Sequence, residues 1–498
     1  MNNEELRRNK YRRKKAMLRK VQNKMGVAFF VIILALFALA VRILLINYNH
    51  GEAYSKTVLD HQSYTSTTIP YKRGQIQDAN GTVLAYSERV YNLILDPKLI
   101  LSDEKYKEPT LTALTECFDL KRSDLESILA TKSTSQYEKL LKELTKDEIS
   151  EFESRVEDTK NNPYIKGVWF EDSYIRKYPF STLAADVIGF ASAANGGELG
   201  LENYYDEELS GTDGISYSYV GENLDVETQE KKAEDGYNLV TTIDYKVQSI
   251  IENKIKELNA ERPSKSTAVI AMNPKTGEIL AMASYPTFNL NNPRDLSGVY
   301  TQEELSTMTD IEMTNAMYAL WSNYCVSTIY EPGSTFKLFT VAEGLEEGVI
   351  HDGDTFYCGG FMEVSGSIIN CHEHSGHGTV TVKEGLIQSC NPTMMQIAAK
   401  LGGVKIAKYE ALFGFGNRTG IDLPGEEAGL TIGEKMTVID AACNSFGQNI
   451  NVNMIQMVAG FSSLVNGGNY YEPHVVKEVV SEDGELIDNY SKTLVKET

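Results

Sequence analysis

The stretch Glu331–Lys337, EPGSTFK, decides how the whole sequence is interpreted. Its Pro-Gly turn precedes an apolar run that ends at Ala342, which predicts a helix with Ser334 at its N-terminus. The free N–H groups and the positive dipole end of a helix favour negative charge that develops at Ser334. Lys337 projects from the same helical face, and a lysine in a water-poor cleft can lose its proton and act as a base. The stretch therefore predicts a serine nucleophile that is activated by a lysine.

A second polar motif, Ser389-Cys390-Asn391, lies between two predicted helices. The first helix opens at Thr381 with a capping-box pattern, and the second runs from Pro392 to Lys400. Taken alone, Asn391 would be an N-cap, Ser389 a turn residue, and Cys390 a residue that fills space. Because this motif follows the Ser334 helix, we expect a hydroxyl and an amide that face Ser334 and Lys337.

The same Ser-x-x-Lys spacing also occurs at Ser102 and Lys105, in a polar stretch. There the pattern indicates a solvated surface segment. Spacing alone is therefore weak evidence, and the flanking residues of the Ser334 stretch carry the prediction.

The N-terminus predicts a membrane anchor. Residues 1–24 carry ten basic and two acidic residues and precede an apolar run, from which we predict a transmembrane helix at 25–47. The basic tail is expected in the cytoplasm and the remaining chain outside it. The orientation of a membrane anchor explains these basic residues better than nucleic-acid binding does. Cleavage as a signal peptide after Ala38-Leu39-Ala40 is the alternative, which the continuing apolar run disfavours.

Residues 48–235 predict a β-rich, non-catalytic pedestal. Tyr71–Ala85 has the pattern of a hairpin with an Asn-Gly turn at residues 80 and 81. We expect a surface helical insertion at 101–160. Its apolar residues recur at helical spacing, namely Leu141, Leu144, Phe152 and Val156.

Residues 236–498 predict the catalytic domain, so the chain as a whole is expected to be a multidomain α+β protein. Asp244 is expected to cap a helix. The predicted apolar face of this helix consists of Val247, Ile251, Ile255 and Leu258. A hairpin follows at Thr267–Met272 and Glu278–Ala283, with apolar strands that suit the middle of a sheet covered on both faces.

These motifs together resemble the class B penicillin-binding proteins, the bitopic D,D-transpeptidases that cross-link peptidoglycan. The Ser334 stretch matches the Ser-x-x-Lys box of that family, and Ser389-Cys390-Asn391 matches its Ser-x-Asn box. Pedestal and C-terminal signatures match as well, at Arg73-Gly74 to Asn80-Gly81, Gly200-Leu201-Glu202, Ser445-Phe446-Gly447-Gln448 and Asn466-Gly467-Gly468. Within the family the chain looks most like the septal or sporulation type. The implied fold is a transmembrane helix, a dimerisation-type pedestal, and a transpeptidase domain with helices around an antiparallel sheet.

The resemblance implies a role for each matched residue. Ser334 would attack the carbonyl between two terminal D-alanines of a stem peptide, and Lys337 would take its proton. Ser389 would relay a proton, Asn391 would orient Lys337 and the substrate, and backbone N–H groups, including that of Ser334, would bind the oxyanion. β-Lactams would acylate Ser334. No metal or organic cofactor is implied, and the implied partners are stem peptides, a membrane glycosyltransferase and division or sporulation proteins.

One departure from the family pattern concerns its third box, Lys-Thr/Ser-Gly. Lys275-Thr276-Gly277 precedes Ser334 in a hairpin turn, and Ser491-Lys492-Thr493 is followed by Leu494. The expectation is thus a transpeptidase domain that stops before this strand and leaves a sheet edge exposed, either as a fragment or as a truncated protein. A catalytically impaired scaffold of the division or sporulation machinery is the alternative function. A third alternative is a β-lactam hydrolase or sensor, but the long pedestal and the membrane anchor fit wall assembly better.

Histidines and cysteines concentrate between residues 351 and 377. His351, His372, His374 and His377 accompany Cys358 and Cys371, which have twelve residues between them. These side chains could bind zinc. A loop-closing disulfide or two free thiols is favoured instead, because the spacing fits no standard zinc knuckle.

Overall fold

The computed structural model describes residues 63–498 except 193–195, 221–225, 491–492 and 498, together with residues 34, 37–39 and 41–42. The basic tail at 1–24 and most of the predicted transmembrane helix at 25–47 lie outside the described residues. Within the described part, no helix has both the length and the apolar character needed to cross a bilayer. The described residues form two compact units, one of the described residues up to Ile69 with those of 214–232 and one of the described residues of 70–213 with those of 233–498.

The first half of the described chain contains both strands and helices. The strands are β1 (Ser63–Ile69), β2 (Ile76–Gln77), β3 (Val83–Leu95), β4 (Glu138–Leu144), β5 (Val168–Lys177), β6 (Ala191–Ser192), β7 (Gly196–Gly197), β8 (Gly214–Val220), β9 (Val226–Lys231) and β10 (Asn238–Thr241). Its helices are α1 (Pro97–Ile100), α2 (Glu104–Cys117), α3 (Arg122–Thr131), α4 (Lys146–Glu157), α5 (Ala185–Ile188), α6 (Gly200–Tyr204) and α7 (Asp206–Leu209).

The second half is mainly helical. Its helices are α8 (Tyr245–Glu261), α9 (Gln302–Thr307), α10 (Asp310–Trp321), α11 (Tyr324–Ser327), α12 (Lys337–Glu346), α13 (Val382–Ile387), α14 (Asn391–Leu401), α15 (Gly403–Leu412), α16 (Val438–Asn444) and α17 (Met454–Val465), with 3-10 turns at Gly333–Phe336 and Gly433–Lys435. Its strands are β11 (Thr267–Met272), β12 (Ile279–Tyr285), β13 (Thr355–Cys358), β14 (Phe361–Val364), β15 (Ser367–Asn370), β16 (Gly378–Thr381), β17 (Asn469–Tyr471), β18 (Val476–Val480), β19 (Leu486–Asn489) and β20 (Leu494–Glu497).

The smaller unit is an antiparallel sheet in the order β1-β8-β9. The larger unit contains a seven-stranded sheet in the order β19-β18-β10-β2-β3-β4, with β5 also paired to β3. The predicted hairpin forms from β2 and β3. Its turn is held by Asp78, whose carboxylate accepts the N–H groups of Asn80 and Thr82 at 2.9 and 2.7 Å. Gly81 adopts a φ of 86°, which an L-residue adopts at a cost.

The predicted insertion at 101–160 is only partly helical. Leu141 and Leu144 lie on β4 and pair with Leu93 and Tyr91 of β3, so the helical assignment of these two leucines is wrong. Glu143, with a φ of 59°, lies next to an irregularity in this pairing. Pairing with a neighbouring strand outweighs the local spacing here, because tertiary contacts routinely override propensity. Phe152 and Val156 do lie on α4, as expected.

Helix α8 begins where Asp244 predicts, and the Asp244 carboxylate accepts the N–H groups of Lys246 and Val247. Its buried face differs from the predicted one, since Leu258 is 47% exposed. Gln248 is fully buried instead, and its amide bonds the backbone N–H and C=O of Met282 on β12. The hairpin of β11 and β12 forms as predicted but is a two-stranded sheet in the described part of the chain, not the middle of a larger one.

One hydrophobic core runs through the larger unit. It joins Ile76 and Leu239 of the seven-stranded sheet to Ile279 and Met282 of β12 and to Ile455 of α17. Strands β10 and β18 follow residue 236, yet they belong to the same sheet as β2. The domain boundary between 235 and 236 stays a prediction.

Candidate functional site

Ser334 lies on the 3-10 turn that leads into α12, and its side chain is exposed. The turn is held from below by Phe336, which packs 5.3 Å from the Phe339 ring and 5.2 Å from the Phe415 ring, measured between centroids. It is held from the side by Gly447, whose carbonyl accepts the N–H of Gly333 at 2.9 Å. A Cβ on Gly447 would lie 2.1 Å from the Gly333 oxygen, so only glycine permits this approach.

Lys337 is the first residue of α12, and its side chain is 1% exposed. Its ammonium group donates to the Ser389 carbonyl at 2.6 Å, to Ser389 Oγ at 2.9 Å and to Asn391 Oδ1 at 2.8 Å. An ammonium group has three N–H bonds, and all three are used here. Lys337 therefore reaches Ser334 through another residue rather than directly.

Ser389 supplies that link. Its Oγ accepts from Lys337 and donates to Ser334 Oγ at 2.9 Å, which gives a continuous path between the nucleophile and the base. Its backbone has a φ of 52°, in the left-handed region that residues with a Cβ seldom adopt. Such strain is often found at functional sites.

Asn391 is not a helix cap, because the N-cap of α14 is Cys390. The Asn391 side chain accepts from Lys337 through Oδ1 and donates through Nδ2 to the Asn370 carbonyl at 3.2 Å. The structure thus brings together all four residues that the sequence singled out. Their catalytic roles stay a prediction.

Burial of Lys337 favours its neutral form. It lowers the pKa of Lys337 to about 8, and the nearby thiols of Cys371 and Cys390 oppose this change only in part. A lysine with such a pKa can exchange a proton with a serine near neutral pH.

Two buried acidic residues that the sequence did not single out face each other, Glu343 on α12 and Glu410 on α15. Burial raises the pKa of Glu343 well above its ordinary value, and the nearby Glu410 carboxylate raises it further. Burial also raises the pKa of Glu410 to about 7, although Asn444 Nδ2 donates to its Oε1 at 2.5 Å. Among the described residues, neither oxygen of Glu343 has a hydrogen-bond partner. Acidic residues in the interior of a helix belong to no motif, so the sequence does not reveal that these two are buried.

A second cluster lies beside the Ser389–Asn391 turn. The ligand atoms of Cys358, Cys371, His377 and Cys390 all lie within 4.8 Å of one another. This set of donors can hold a metal ion, which differs from the expectation that no metal is implied. Cys390 was expected only to fill space. Its membership could not be read from the sequence, because Cys390 has no second cysteine or histidine within five residues, as the standard zinc motifs have.

The comparisons with known proteins agree with this geometry. The family model described as "Penicillin binding protein transpeptidase domain" matches residues 267–497. The model described as "Penicillin-binding Protein dimerisation domain" matches residues 68–241. The chain belongs to the class B penicillin-binding proteins.

Individual relatives refine this assignment. The chain is 33% identical to "Stage V sporulation protein D" of Bacillus subtilis over 86% of this chain and 62% of that protein. It is 25% identical to "Peptidoglycan D,D-transpeptidase MrdA" of Acinetobacter baumannii over 91% of this chain and 69% of that protein. The crystal structure of Penicillin Binding Protein 2X from Streptococcus thermophilus has the same fold, with a TM-score of 0.71, 24% identity and coverage of 87% of this chain and 64% of that one. The chain thus spans about two thirds of the length of these relatives.

Proposed function

We propose that this protein is a peptidoglycan D,D-transpeptidase that works through an acyl-enzyme on Ser334. The hydrogen-bonded path from Ser334 Oγ through Ser389 Oγ to Lys337 Nζ is the observation that carries the proposal. A serine needs a base within hydrogen-bond reach to become a nucleophile, and this path supplies one. The name of the Acinetobacter baumannii relative supports the same reaction.

The acylation step follows from this path. With Lys337 neutral, Ser334 Oγ attacks the carbonyl carbon between the two terminal D-alanines of a stem peptide. The Ser334 proton passes to Ser389 while the Ser389 proton passes to Lys337. The C–N bond then breaks, and the same proton returns through Ser389 to the leaving amine. The products are an ester on Ser334 and free D-alanine.

The deacylation step reverses these transfers. An amine of a second stem peptide attacks the ester carbonyl and gives its proton to the Ser389–Lys337 pair. The ester bond breaks, Ser334 regains a proton, and the new amide is the cross-link. Asn391 keeps the Lys337 side chain in place, since it bonds the ammonium on one side and the Asn370 carbonyl on the other.

A covalent penicillin label tests the enzymatic proposal. We expect fluorescent penicillin to label the purified chain, and we expect Ser334→Ala to abolish the label. The matched control is Ser102→Ala, which changes the other Ser-x-x-Lys sequence. Ser102 is exposed and its lysine, Lys105, pairs with Asp103 at 2.7 Å, so this variant should be labelled like the wild type. A folded wild-type chain that takes no label would favour the scaffold function instead.

The proposal extends to the place where the protein works. The basic tail at 1–24 and the apolar run at 25–47 support a single-pass anchor, with the N-terminus in the cytoplasm and the catalytic domain outside the membrane. Its partners would be a membrane glycosyltransferase and proteins of division or sporulation, and the name of the Bacillus subtilis relative favours sporulation. We expect the chain in a membrane pellet that resists an alkaline carbonate wash. Recovery in the wash would contradict the anchor.

A further inference from the structure

The hairpin of β14 and β15 has a geometry that fixes which backbone groups point outward. Its two-residue turn, Ser365-Gly366, has φ values of 51° and 82°, which indicates a type I′ turn. Such a turn makes Val364 and Ser367 the closing hydrogen-bonded pair, and bonded and non-bonded pairs alternate from there. The N–H of Cys371 donates to the Gly360 carbonyl at 2.9 Å, in agreement with this alternation. Every second residue of β15 therefore directs its N–H and C=O away from β14.

The two outward residues of β15 are Ile368 and Asn370. The Asn370 carbonyl accepts from Asn391 Nδ2 at 3.2 Å. The other three groups are the N–H and C=O of Ile368 and the N–H of Asn370. They bond no other segment in the described part of the chain, where β15 pairs with β14 alone. We call these three groups the open edge, and an edge of this kind can accept an extended peptide as a further strand.

We propose that the open edge binds the second stem peptide, whose amine attacks the ester on Ser334. This inference rests on the proposed function, since only a transpeptidase needs that peptide. The position of the edge supports it. The edge ends at Asn370, which bonds Asn391, and Asn391 Oδ1 accepts from Lys337 at 2.8 Å. A peptide that runs along the edge is thereby led to the catalytic residues.

The face of the hairpin beside the open edge suits the side chain that carries the amine. Met362 and Val364 pack with Met395 in the core, so the alternate residues of β14 point to solvent. Phe361 on β14 and Ile368 on β15 share that outer face, and they are 54% and 66% exposed. A diamino acid has a long aliphatic stem, which can lie on such apolar side chains and leave its amine in water.

Charge decides between the two stem peptides of the reaction. Glu363 lies opposite Ile368, and its exposed carboxylate has no ion pair among the described residues. Residues 359–376 contain two acids, Glu363 and Glu373, and neither lysine nor arginine. This negative charge attracts the ammonium form of the second peptide and repels the terminal carboxylate of the first. The neutral amine, in equilibrium with the ammonium, is the form that attacks.

Peptide binding to the purified full-length chain tests the open edge. The probe is a synthetic stem tripeptide with lysine as its third residue and a fluorophore on its N-terminus, and fluorescence anisotropy gives the dissociation constant. Ile368→Pro removes one N–H of the open edge and no hydrogen bond of the hairpin, so it should weaken binding about tenfold. A wild-type chain that binds no peptide would overturn the proposal.

The matched control places proline on another exposed edge. Ile487 lies on β19, the outermost strand of the seven-stranded sheet, at an irregularity in its pairing with β18, and it is 46% exposed. Ile487→Pro should bind the peptide like the wild type. Circular dichroism and the midpoint of urea denaturation show whether both variants are folded. Equal weakening in both variants, or in neither, would overturn the proposal.

The charge has a test that does not need the proline variant to fold. The wild type should bind the tripeptide about threefold more tightly than the same peptide acetylated on its lysine side chain, as for an exposed ion pair. Glu363→Gln should remove this preference, and the exposed substitution Glu434→Gln should keep it. Equal binding of the two peptides by the wild type would overturn the assignment to the amine-bearing peptide.

Penicillin labelling separates this inference from the proposed function. If penicillin labels the wild type but peptide binding does not depend on Ile368, the proposed function stands and the open edge is overturned. If the peptide binds in an Ile368-dependent way to a chain that penicillin does not label, the proposed function fails, and the acceptor role of the edge fails with it. In turnover with a D-alanyl thioester as the acyl donor, Ile368→Pro should raise the KM for the tripeptide about tenfold. A KM equal to that of the wild type would overturn the acceptor role.

Discussion

At the scale of single residues, the chemistry depends on how Lys337 is held. Its side chain is almost fully buried, yet each N–H of its ammonium group has an acceptor on Ser389 or Asn391. Burial destabilises the charged form and lowers the pKa to about 8. The lysine is therefore protonated for much of the time near neutrality and must lose that proton before it can accept one from Ser334.

We predict that the rate of Ser334 acylation rises with pH. Only neutral Lys337 can act as the base, so the rate should increase about tenfold per pH unit below the pKa and level off above it. The pKa of about 8 sets the midpoint. The measurement is the rate of fluorescent-penicillin labelling across neutral and mildly alkaline pH.

Lys337→Arg is the control for this profile. Arginine keeps the positive charge but does not lose its proton in proteins, so the variant should label slowly and show no rise. A wild-type rate that is flat across this range would contradict the role of Lys337 as the base.

The sequence predicted the four site residues but not how they connect. Spacing places Lys337 on the same face as Ser334 and suggests a direct contact. The actual path runs through Ser389, because the lysine donors are taken by Ser389 and Asn391. That path requires a φ of 52° at Ser389. Serine seldom adopts this conformation, so the sequence gives no sign of it.

At the scale of elements, α12 and the segments beside it determine where Ser334 lies. The aromatic cluster fixes the underside of the Gly333–Phe336 turn, and Thr340 Oγ1 donates to the Ser445 carbonyl at 2.9 Å one turn further along. Gly447 closes the other side through its contact with Gly333. The position of the nucleophile thus depends on the segment after α16 as much as on α12.

We predict that Gly447→Ala damages the site more than an ordinary left-handed glycine substitution does. An alanine there must adopt a φ of 78° and also contact the Gly333 oxygen at 2.1 Å, so the turn has to move. Gly484→Ala is the matched control, with a φ of 81° and open space around the new Cβ. The control should lose about 1–2 kcal/mol in urea denaturation and keep its penicillin labelling. Gly447→Ala should lose more stability and most of its labelling, and equal behaviour of the two variants would contradict this account.

The acid pair between α12 and α15 predicts how stability depends on pH. Burial raises the pKa of Glu410 in the folded chain from 4.5 to about 7. The folded chain therefore binds this proton more tightly, and the contribution of Glu410 to stability is fully present below about pH 4.5 and is lost as pH rises through about 7. Glu410→Gln removes the ionisation and keeps a hydrogen-bonding partner for Asn444.

The variant should be more stable than the wild type by up to about 3 kcal/mol above pH 7 and nearly equal to it at acidic pH. Urea denaturation at the two pH values measures the difference. The exposed substitution Glu434→Gln should leave the wild-type pH dependence in place. An equal gain at both pH values would show that the effect does not come from ionisation.

The elements themselves were predicted where local signals are strong. The caps at Asp244 and Thr381 and the turn at Asn80-Gly81 form as expected, because each rests on hydrogen bonds between near neighbours. The strand β4 was not predicted, since its pairing with β3 is a long-range interaction. The cluster of buried cysteines illustrates the same limit, because Cys390 joins Cys358 and Cys371 only in the folded chain.

At the scale of the whole molecule, an ion-pair network ties distant parts of the larger unit together. Glu202 is fully buried on α6 and accepts from Arg73 Nε at 2.7 Å and from Arg176 Nε at 2.6 Å. Arg176 also donates to the Gly74 carbonyl at 2.7 Å. The residues come from three segments far apart in the sequence, so the network fixes α6 to the seven-stranded sheet. The sequence identified Arg73 and Glu202 only as family signatures.

We predict that loss of Glu202 destabilises the larger unit strongly. Glu202→Ala would leave two buried guanidinium groups without their shared carboxylate, and breaking a buried ion pair in this way costs about 3–5 kcal/mol. Urea denaturation gives the change in the free energy of unfolding. The matched control is Glu126→Ala, which removes an exposed partner of Arg122 at 2.9 Å and should cost less than about 1 kcal/mol. If both variants lost the same small free energy of unfolding, the network would contribute no more than an exposed ion pair. The position of α6 on the sheet would then depend on the apolar core alone.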